Sequence, residues 1–237
     1  MNRPAWATMG AALGLWAAAC GYPTFTTVGG TGGATTTVGS SSSGSPAPCR
    51  LMHDATDCPS GYRCTIGDTS TGATTCSMIA AGALPRFSAC ATDADCGPGD
   101  FCDGYTQVCM AFCATNAQCN GGSCVSAHGS PTASIPSTSV CTANCDPENT
   151  NACGAGAACD YDGTEGVFDC FASLDVMAGD SCSAGNDCAP DLVCAGGNCA
   201  YWCHPADMSQ GDCQGGLCMP FSNLMPMYNG TLYGFCE

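Results

Sequence analysis

The chain has no lysine, and no arginine beyond Arg86. Its only basic side chains besides histidine are Arg3, Arg50, Arg63 and Arg86. Against them stand 20 acidic residues, 17 of them between Phe87 and Glu237, for a net charge of −16. Such a surface repels phosphate backbones and excludes nucleic acid as a partner. The absence of lysine excludes Schiff-base chemistry. Large apolar residues are also scarce. From Cys49 to Cys236 only 23 of 188 residues are Leu, Ile, Val or Phe. That is too little apolar surface to offset the entropy of ordering the chain by packing alone. No stretch shows helical periodicity. No C-x-x-C occurs either, and the closest cysteines (Cys109/Cys113, Cys141/Cys145, Cys199/Cys203) have three residues between them. Structural zinc sites favour tighter ligand pairs, commonly two residues apart.

What the chain has instead is cysteine: 25 in all, 24 of them between Cys49 and Cys236. That density marks a disulfide scaffold. The expected fold class is therefore small and disulfide-rich, mostly irregular, with short β-hairpins built from strands of two to four residues. The odd cysteine is Cys20, which lies 29 residues before the next.

Residues 1–19 read as an export signal. Arg3 supplies a positive start, Pro4 to Ala19 is mostly apolar, and Ala17, Ala18 and Ala19 offer a small-residue cleavage site. The stretch is short for a membrane span. With Cys20 directly after it, the segment resembles the lipobox of bacterial lipoproteins, although Ala17 stands where that family usually has Leu. The resemblance implies a diacylglycerol on the Cys20 thiol, an acylated amino terminus and a membrane anchor. Gly21, rather than Asp, at the next position resembles the pattern sorted to the outer membrane. Parity agrees, because removing Cys20 leaves an even set. Ordinary cleavage after Ala19 is the alternative. Residues 20–48 then form an acylated cysteine and a tether with seven Gly, seven Thr, five Ser and no charge in 21–48. A coil of that length spans about 30 Å.

The remaining 24 cysteines fall into two sets of twelve, spaced in register at offsets between 90 and 96 residues. This predicts two tandem homologous repeats, 49–141 and 145–236. Asp95 and Asp187 each precede a cysteine, Pro98 matches Pro190, and "NGGSC" at 120–124 answers "QGGLC" at 214–218. Each repeat divides again into three four-cysteine units, clearest in "CATDADCGPGDFCDGYTQVC" (90–109) and "CSAGNDCAPDLVCAGGNC" (182–199). These units resemble the cysteine-rich module at the amino end of Dickkopf proteins and the later half of whey-acidic-protein domains, and similar units recur in bacterial cysteine-rich repeat lipoproteins. The resemblance implies first-to-third pairs, Cys90 with Cys102 and Cys182 with Cys194. It also implies second-to-fourth pairs, Cys96 with Cys109 and Cys188 with Cys199. In the whey-acidic pattern the last partner shifts to Cys113 or Cys203.

Three constellations are candidates for chemistry. "DYDGTEG" at 160–166 offers hard oxygens from Asp160, Asp162 and Glu165, with Asp169 nearby, and suggests calcium; but Gly163 comes too early for an EF-hand loop. The loop "MPFSNLMPMYNGTLYGF" at 219–235 is far more apolar than its counterpart at 125–140. With Trp202 it forms a candidate surface for a protein or glycan partner through Phe221, Met225, Met227 and Tyr228. The other expectation is that it fills its own core. Asn229-Gly230 within it predicts a tight hairpin turn. Met225, Met227, His204 and Met208 are candidate copper ligands. His53, His128 and His204 lie in no catalytic motif. The expected role is non-enzymatic: a lipid-anchored binding or structural module at the cell envelope, with no cofactor required. A protease-inhibitor-like module is the alternative, and a secreted hydrolase a further one.

Overall fold

Twelve disulfides organise the chain as six copies of one device. The computed structural model describes residues 48–52, 57–205, 213 and 215–237. The signal, Cys20, the tether, His53 and Met208 lie outside the described residues. In every unit the first cysteine bonds the third and the second bonds the fourth: Cys49–Cys64 and Cys58–Cys76, Cys90–Cys102 and Cys96–Cys109, Cys113–Cys124 and Cys119–Cys141. The later units read Cys145–Cys159 and Cys153–Cys170, Cys182–Cys194 and Cys188–Cys199, Cys203–Cys218 and Cys213–Cys236. Each unit is thus closed on itself, and no bond reaches forward to Cys113 or Cys203 from the unit before.

The third and fourth cysteines of each unit face each other across antiparallel strands. They are Cys64↔Cys76 on β1 (Tyr62–Asp68) and β2 (Ala73–Met78), Cys102↔Cys109 on β3 (Asp100–Cys102) and β4 (Cys109–Ala111), and Cys124↔Cys141 on β5 (Cys124–Ser130) and β6 (Ala133–Cys141). Cys159↔Cys170 follow on β7 (Ala157–Asp162) and β8 (Val167–Ala172), and Cys194↔Cys199 on β9 (Leu192–Ala195) and β10 (Asn198–Cys203). Last, Cys218↔Cys236 face on β11 (Cys218–Pro220) and β14 (Gly234–Cys236). Between these two lie β12 (Met227–Tyr228) and β13 (Thr231–Leu232). The facing cysteines are bonded backward, not to each other, so the hairpin is clamped from its entry segment on both strands. Asn229 and Gly230 have φ of 49° and 82°, the doubly left-handed turn that a two-residue hairpin needs. Among the described residues, one sheet has more than two strands, in the order β11-β14-β10-β9.

Several strands exceed the expected two to four residues: β1 and β5 have seven, β6 nine. The segment 125–140 looks small and polar, yet Val125, Ala127, Ile135 and Val140 are spaced to turn inward, and cystines pin both its ends. From Cys58 onward the described residues form no α-helix. The short segment between first and second cysteine instead forms a 3₁₀ turn at Asp93–Asp95, Asn116–Gln118 and Gly185–Asp187. A side chain caps each one. Oδ2 of Asp95 accepts from the Ala91 and Thr92 N–H groups, Oε1 of Gln118 from Ala114 and Thr115, and Oδ2 of Asp187 from Ser183 and Ala184.

The main apolar core draws on both halves of the chain. Ile66, Phe101, Val108, Met110, Ile135 and Val140 join Ala157, Phe168, Val193, Trp202 and Tyr233. Phe168 is the hub: its ring meets Tyr161 at 5.3 Å, Trp202 at 5.2 Å and Tyr233 at 5.5 Å. Arg63 pins the first half from inside. It is 1% exposed, pairs with Asp93 at 2.8 Å, and donates to the carbonyl oxygens of Asp93, Gly97 and Asp100.

Candidate functional site

The seventh and eighth strands carry acids where apolar or neutral residues are expected. Asp160 sits directly opposite Asp169 in register, and Asp162 follows two residues on, so alternation places all three on one face. They are 9%, 2% and 6% exposed, respectively. Like charges directly opposed on a sheet are destabilising. Counted from the facing cysteines, the same two positions on β1 and β2 hold Thr65 and Thr75. The hairpin device therefore works with neutral residues there.

The entry turns differ in a linked way. On β1, Arg63 and the Thr65 hydroxyl both donate to Oδ2 of Asp93, which comes from the 3₁₀ turn. On β7, the counterpart of Arg63 is Ala158 and the turn begins with Gly185. Here the carboxylate comes from the strand: a Cβ on Gly185 would collide with Oδ2 of Asp160. An acid fills the junction in both halves, but only the first has an arginine to neutralise it.

A cavity of about 140 Å³ opens beside this face. Asp162, Glu165 and Asp169 supply one wall, and Asp103, Tyr105 and His128 another. Met110, Val125 and Val140 line the apolar side. No arginine or lysine borders it. Asp103 is held by its own loop between β3 and β4. Oδ2 accepts from the Tyr105 and Thr106 N–H groups at 3.0 and 3.1 Å, and Oδ1 accepts from the His128 N–H at 2.6 Å. The loop lies so close to β5 that a Cβ on Gly104 would strike the Gly129 backbone. Nδ1 of His128 lies 3.7 Å from Oδ1 of Asp103. Oδ1 of Asp169 accepts from Ala143 at 2.6 Å and from Cys170 at 2.8 Å. Oδ1 of Asp162 accepts from Thr164 and Glu165.

Burial dominates the electrostatics. It pushes the Asp169 carboxyl up to about 7, against two N–H donors that lower it, with Asp162 and Asp103 raising it further. Burial also lifts Asp160 to about 6, opposed by the Tyr161 N–H and assisted by Asp162. Tyr105 stands between the two, bordering this cavity and a second one of about 250 Å³ that contains Asp160. Its phenol is raised by burial first and by Asp162 next.

The expected calcium loop is divided by the fold. Asp162 and Glu165 border the first cavity with Asp169, whereas Asp160 borders the second. Asp162 spends one oxygen on its own turn. The expected partner surface is divided as well. Trp202 is 3% exposed and belongs to the core, because Phe168, Phe221 and Tyr233 enclose it. Its place in a binding face is thereby corrected. Phe221 and Tyr228 are half-buried and pack onto the same core. Met225 and Met227 do face solvent, at 70% and 48%, beside exposed Leu224. The aromatic residues of this loop pack toward the core, whereas Met225 and Met227 face solvent. His204 packs against Tyr233 with ring centroids 4.5 Å apart and lies 3.4 Å from Glu148, contacts that hold it against the core.

Sequence reasoning passed over Asp103 and placed His128 in no catalytic motif. A register comparison of the halves, Thr65 and Thr75 against Asp160 and Asp169, is the signal that singles out the acidic hairpin. Searched against family models, curated proteins and solved structures, the chain matches none.

Proposed function

We propose that this chain is an exported, lipid-anchored protein whose disulfide-stapled head has a non-enzymatic binding role at the cell envelope. The carrying observation is the set of twelve disulfides, which uses every cysteine from Cys49 to Cys236. Crosslinking of that density persists in oxidising compartments outside the cytosol. By count Cys20 has no cysteine left to pair with in the chain, which supports its use as the acylated residue. Two or more acyl chains on one residue give stable anchoring where one would be marginal. The bacterial outer membrane is the proposed location, with the uncharged tether holding an acidic head off an acidic surface. Exposed Leu224, Met225 and Met227 supply an apolar contact for a protein or glycan ligand.

The test is the intact mass of the mature chain from a membrane fraction, with and without reduction and alkylation. The expected chain lacks residues 1–19, carries acyl mass, takes no alkyl group before reduction and takes 24 after it. A Cys20→Ser variant should move to the soluble fraction. Alkylation of Cys20 without reduction, or no change in fractionation, would refute the anchor.

A further inference from the structure

We propose that Met78, Met177, Met225 and Met227 are reversible sulfoxidation sites, which take oxygen from peroxide while the disulfide frame and the core stay intact. This goes beyond the envelope-binding reading and does not depend on the lipid anchor.

The starting point is where the chain places its thioethers. Met78, Met177 and Met225 are 65%, 64% and 70% exposed, and Met227 is 48% exposed. Met110, by contrast, is 1% exposed, sits in the main core and accepts from the Thr106 hydroxyl at 3.4 Å. Full burial of a methionine side chain contributes about 1.5–3 kcal/mol, which the four surface residues largely forgo. The hairpin device does not require methionine there. Counted from the fourth cysteines, Cys76 and Cys170, Met78 stands where β8 has Ala172. Val176 bridges Cys188 as Leu84 bridges Cys96, so Met177 stands where the first half has Pro85. Met52 is exposed too, but the Gln118 amide donates to its sulfur at 3.6 Å, which places it outside the set.

The second observation is what else could react. Oxidation of cysteine begins at a thiolate. The disulfides leave none between Cys49 and Cys236. Trp202 is 3% exposed and enclosed by other rings. The accessible soft nucleophile that remains is the thioether. In the step, a lone pair on Sδ attacks one oxygen of hydrogen peroxide, an S–O bond forms, the O–O bond breaks and water leaves. Sulfur is oxidised by two electrons and the peroxide is reduced by two. The product is a polar, chiral sulfoxide. At the four surface sites it points to water, whereas at Met110 it would put a polar group into the core. Methionine sulfoxide reductases reverse the step, one enzyme per epimer: the oxygen leaves as water and a dithiol of the reductase becomes a disulfide.

The experiment exposes the disulfide-intact protein to hydrogen peroxide at neutral pH. Each methionine is followed over time by peptide mass after reduction of the chain and cleavage at its acidic residues. Met78, Met177, Met225 and Met227 should each gain one oxygen at least tenfold faster than Met110. With these four modified, the circular-dichroism melting midpoint should stay within about 3 °C of the untreated protein. Treatment with both sulfoxide reductases should remove the added mass. A variant with all four changed to leucine should lose the fast phase of peroxide consumption. Equal rates at Met110 and the surface sites, a larger fall in the midpoint, cysteine oxyacids formed ahead of the sulfoxides, sulfoxides that the reductases leave in place, or a fast phase that persists in the leucine variant would overturn the proposal.

Discussion

Replacing Asp169 with asparagine should stabilise this protein, and by an amount that depends on pH. Asparagine reproduces the protonated acid. Its carbonyl oxygen can still accept from Ala143 and Cys170, and its amide takes the place of Oδ2. The wild-type carboxyl moves from an ordinary 3.8 to about 7 on folding. A folded-state pKa above the unfolded one means that the native state holds the proton more tightly. The associated stability is full below about pH 4 and is lost as pH rises through about 7. At about 1.4 kcal/mol per pH unit, ionisation of Asp169 costs roughly 4 kcal/mol by pH 8. Asp160, lifted to about 6, adds roughly 3 kcal/mol in the same direction between pH 4 and 6. The assay is urea unfolding of a chain beginning at residue 20 with the disulfides intact, followed by the fluorescence of Trp202, the only tryptophan after Trp16. Wild type should unfold at lower urea at pH 8 than at pH 5. Asp169→Asn should raise the midpoint at pH 8 by about 2 M or more, at a slope of 1–2 kcal/mol/M. At pH 4 the two curves should nearly coincide. A variant less stable than wild type at pH 8, or a wild-type midpoint that does not move between pH 5 and 8, would refute the assignment.

Other outcomes follow from the same packing. Arg63→Ala should cost about 3 kcal/mol or more by urea unfolding, since it removes the charged partner of Asp93 and the donor to three carbonyl oxygens. Trp202→Ala should cost about 3–5 kcal/mol by circular-dichroism melting, whereas Met225→Ser should stay within about 0.5 kcal/mol. Gly230→Ala, at φ 82°, should cost about 1 kcal/mol in the same melt. Below pH 4 the trend with acid should reverse. The backbone donors that cap onto Asp95 and Asp187 hold those carboxyls below their ordinary range, so their stabilisation is present above about pH 4 and lost below it. A stability maximum near pH 4–5 would combine the two effects, and a maximum above pH 7 would contradict both.

The fold class was legible because cysteine spacing is a local signal. Five to nine residues between first and second cysteine leave room for a turn, and the final two cysteines bracket a hairpin loop. Asn229-Gly230 was legible for the same reason: two adjacent residues define the turn. Strand length was not, because the inward residues of β5 and β6 are small or isolated among serine and threonine, and only the packed core shows that they point one way. The fate of Trp202 was not legible either. Phe168, 34 positions earlier, and Tyr233, 31 later, close over it. The acidic cavity is the extreme case. Asp103 belongs to the second unit and Asp162 and Asp169 to the fourth, and no periodicity links them. They meet because Gly104 lets the β3–β4 loop dock on β5, while β8 reaches across to hold the Ala143 N–H.

The crosslinks and the acids act on opposite sides of the folding equilibrium. A disulfide closing a loop of about 15 residues raises the free energy of the unfolded chain by roughly 3 kcal/mol in the chain-entropy picture. The acids Asp160 and Asp169 raise the folded state by a comparable amount each once ionised. A protein held by apolar packing alone, with 5–15 kcal/mol in total, could not carry that burden comfortably. Here it can, because loops of 11 to 23 residues are closed twelve times over. The covalent frame therefore does more than replace a core. It frees the interior to hold Asp160, Asp162 and Asp169 in a place where packing-dependent proteins place leucine. Selective loss of one frame element tests this directly. Cys145 and Cys159 close the unit that carries Asp160 and Asp162, while Cys49 and Cys64 close the unit that has Thr65 and Thr75 at the positions of Asp160 and Asp169. Removing the Cys145–Cys159 bond by paired alanines should destabilise the protein more at pH 8 than at pH 5 and abolish its urea cooperativity first around β7 and β8. Removing Cys49–Cys64 should cost the same at both pH values. Equal pH dependence in the two variants would show that the frame and the buried charge are unrelated.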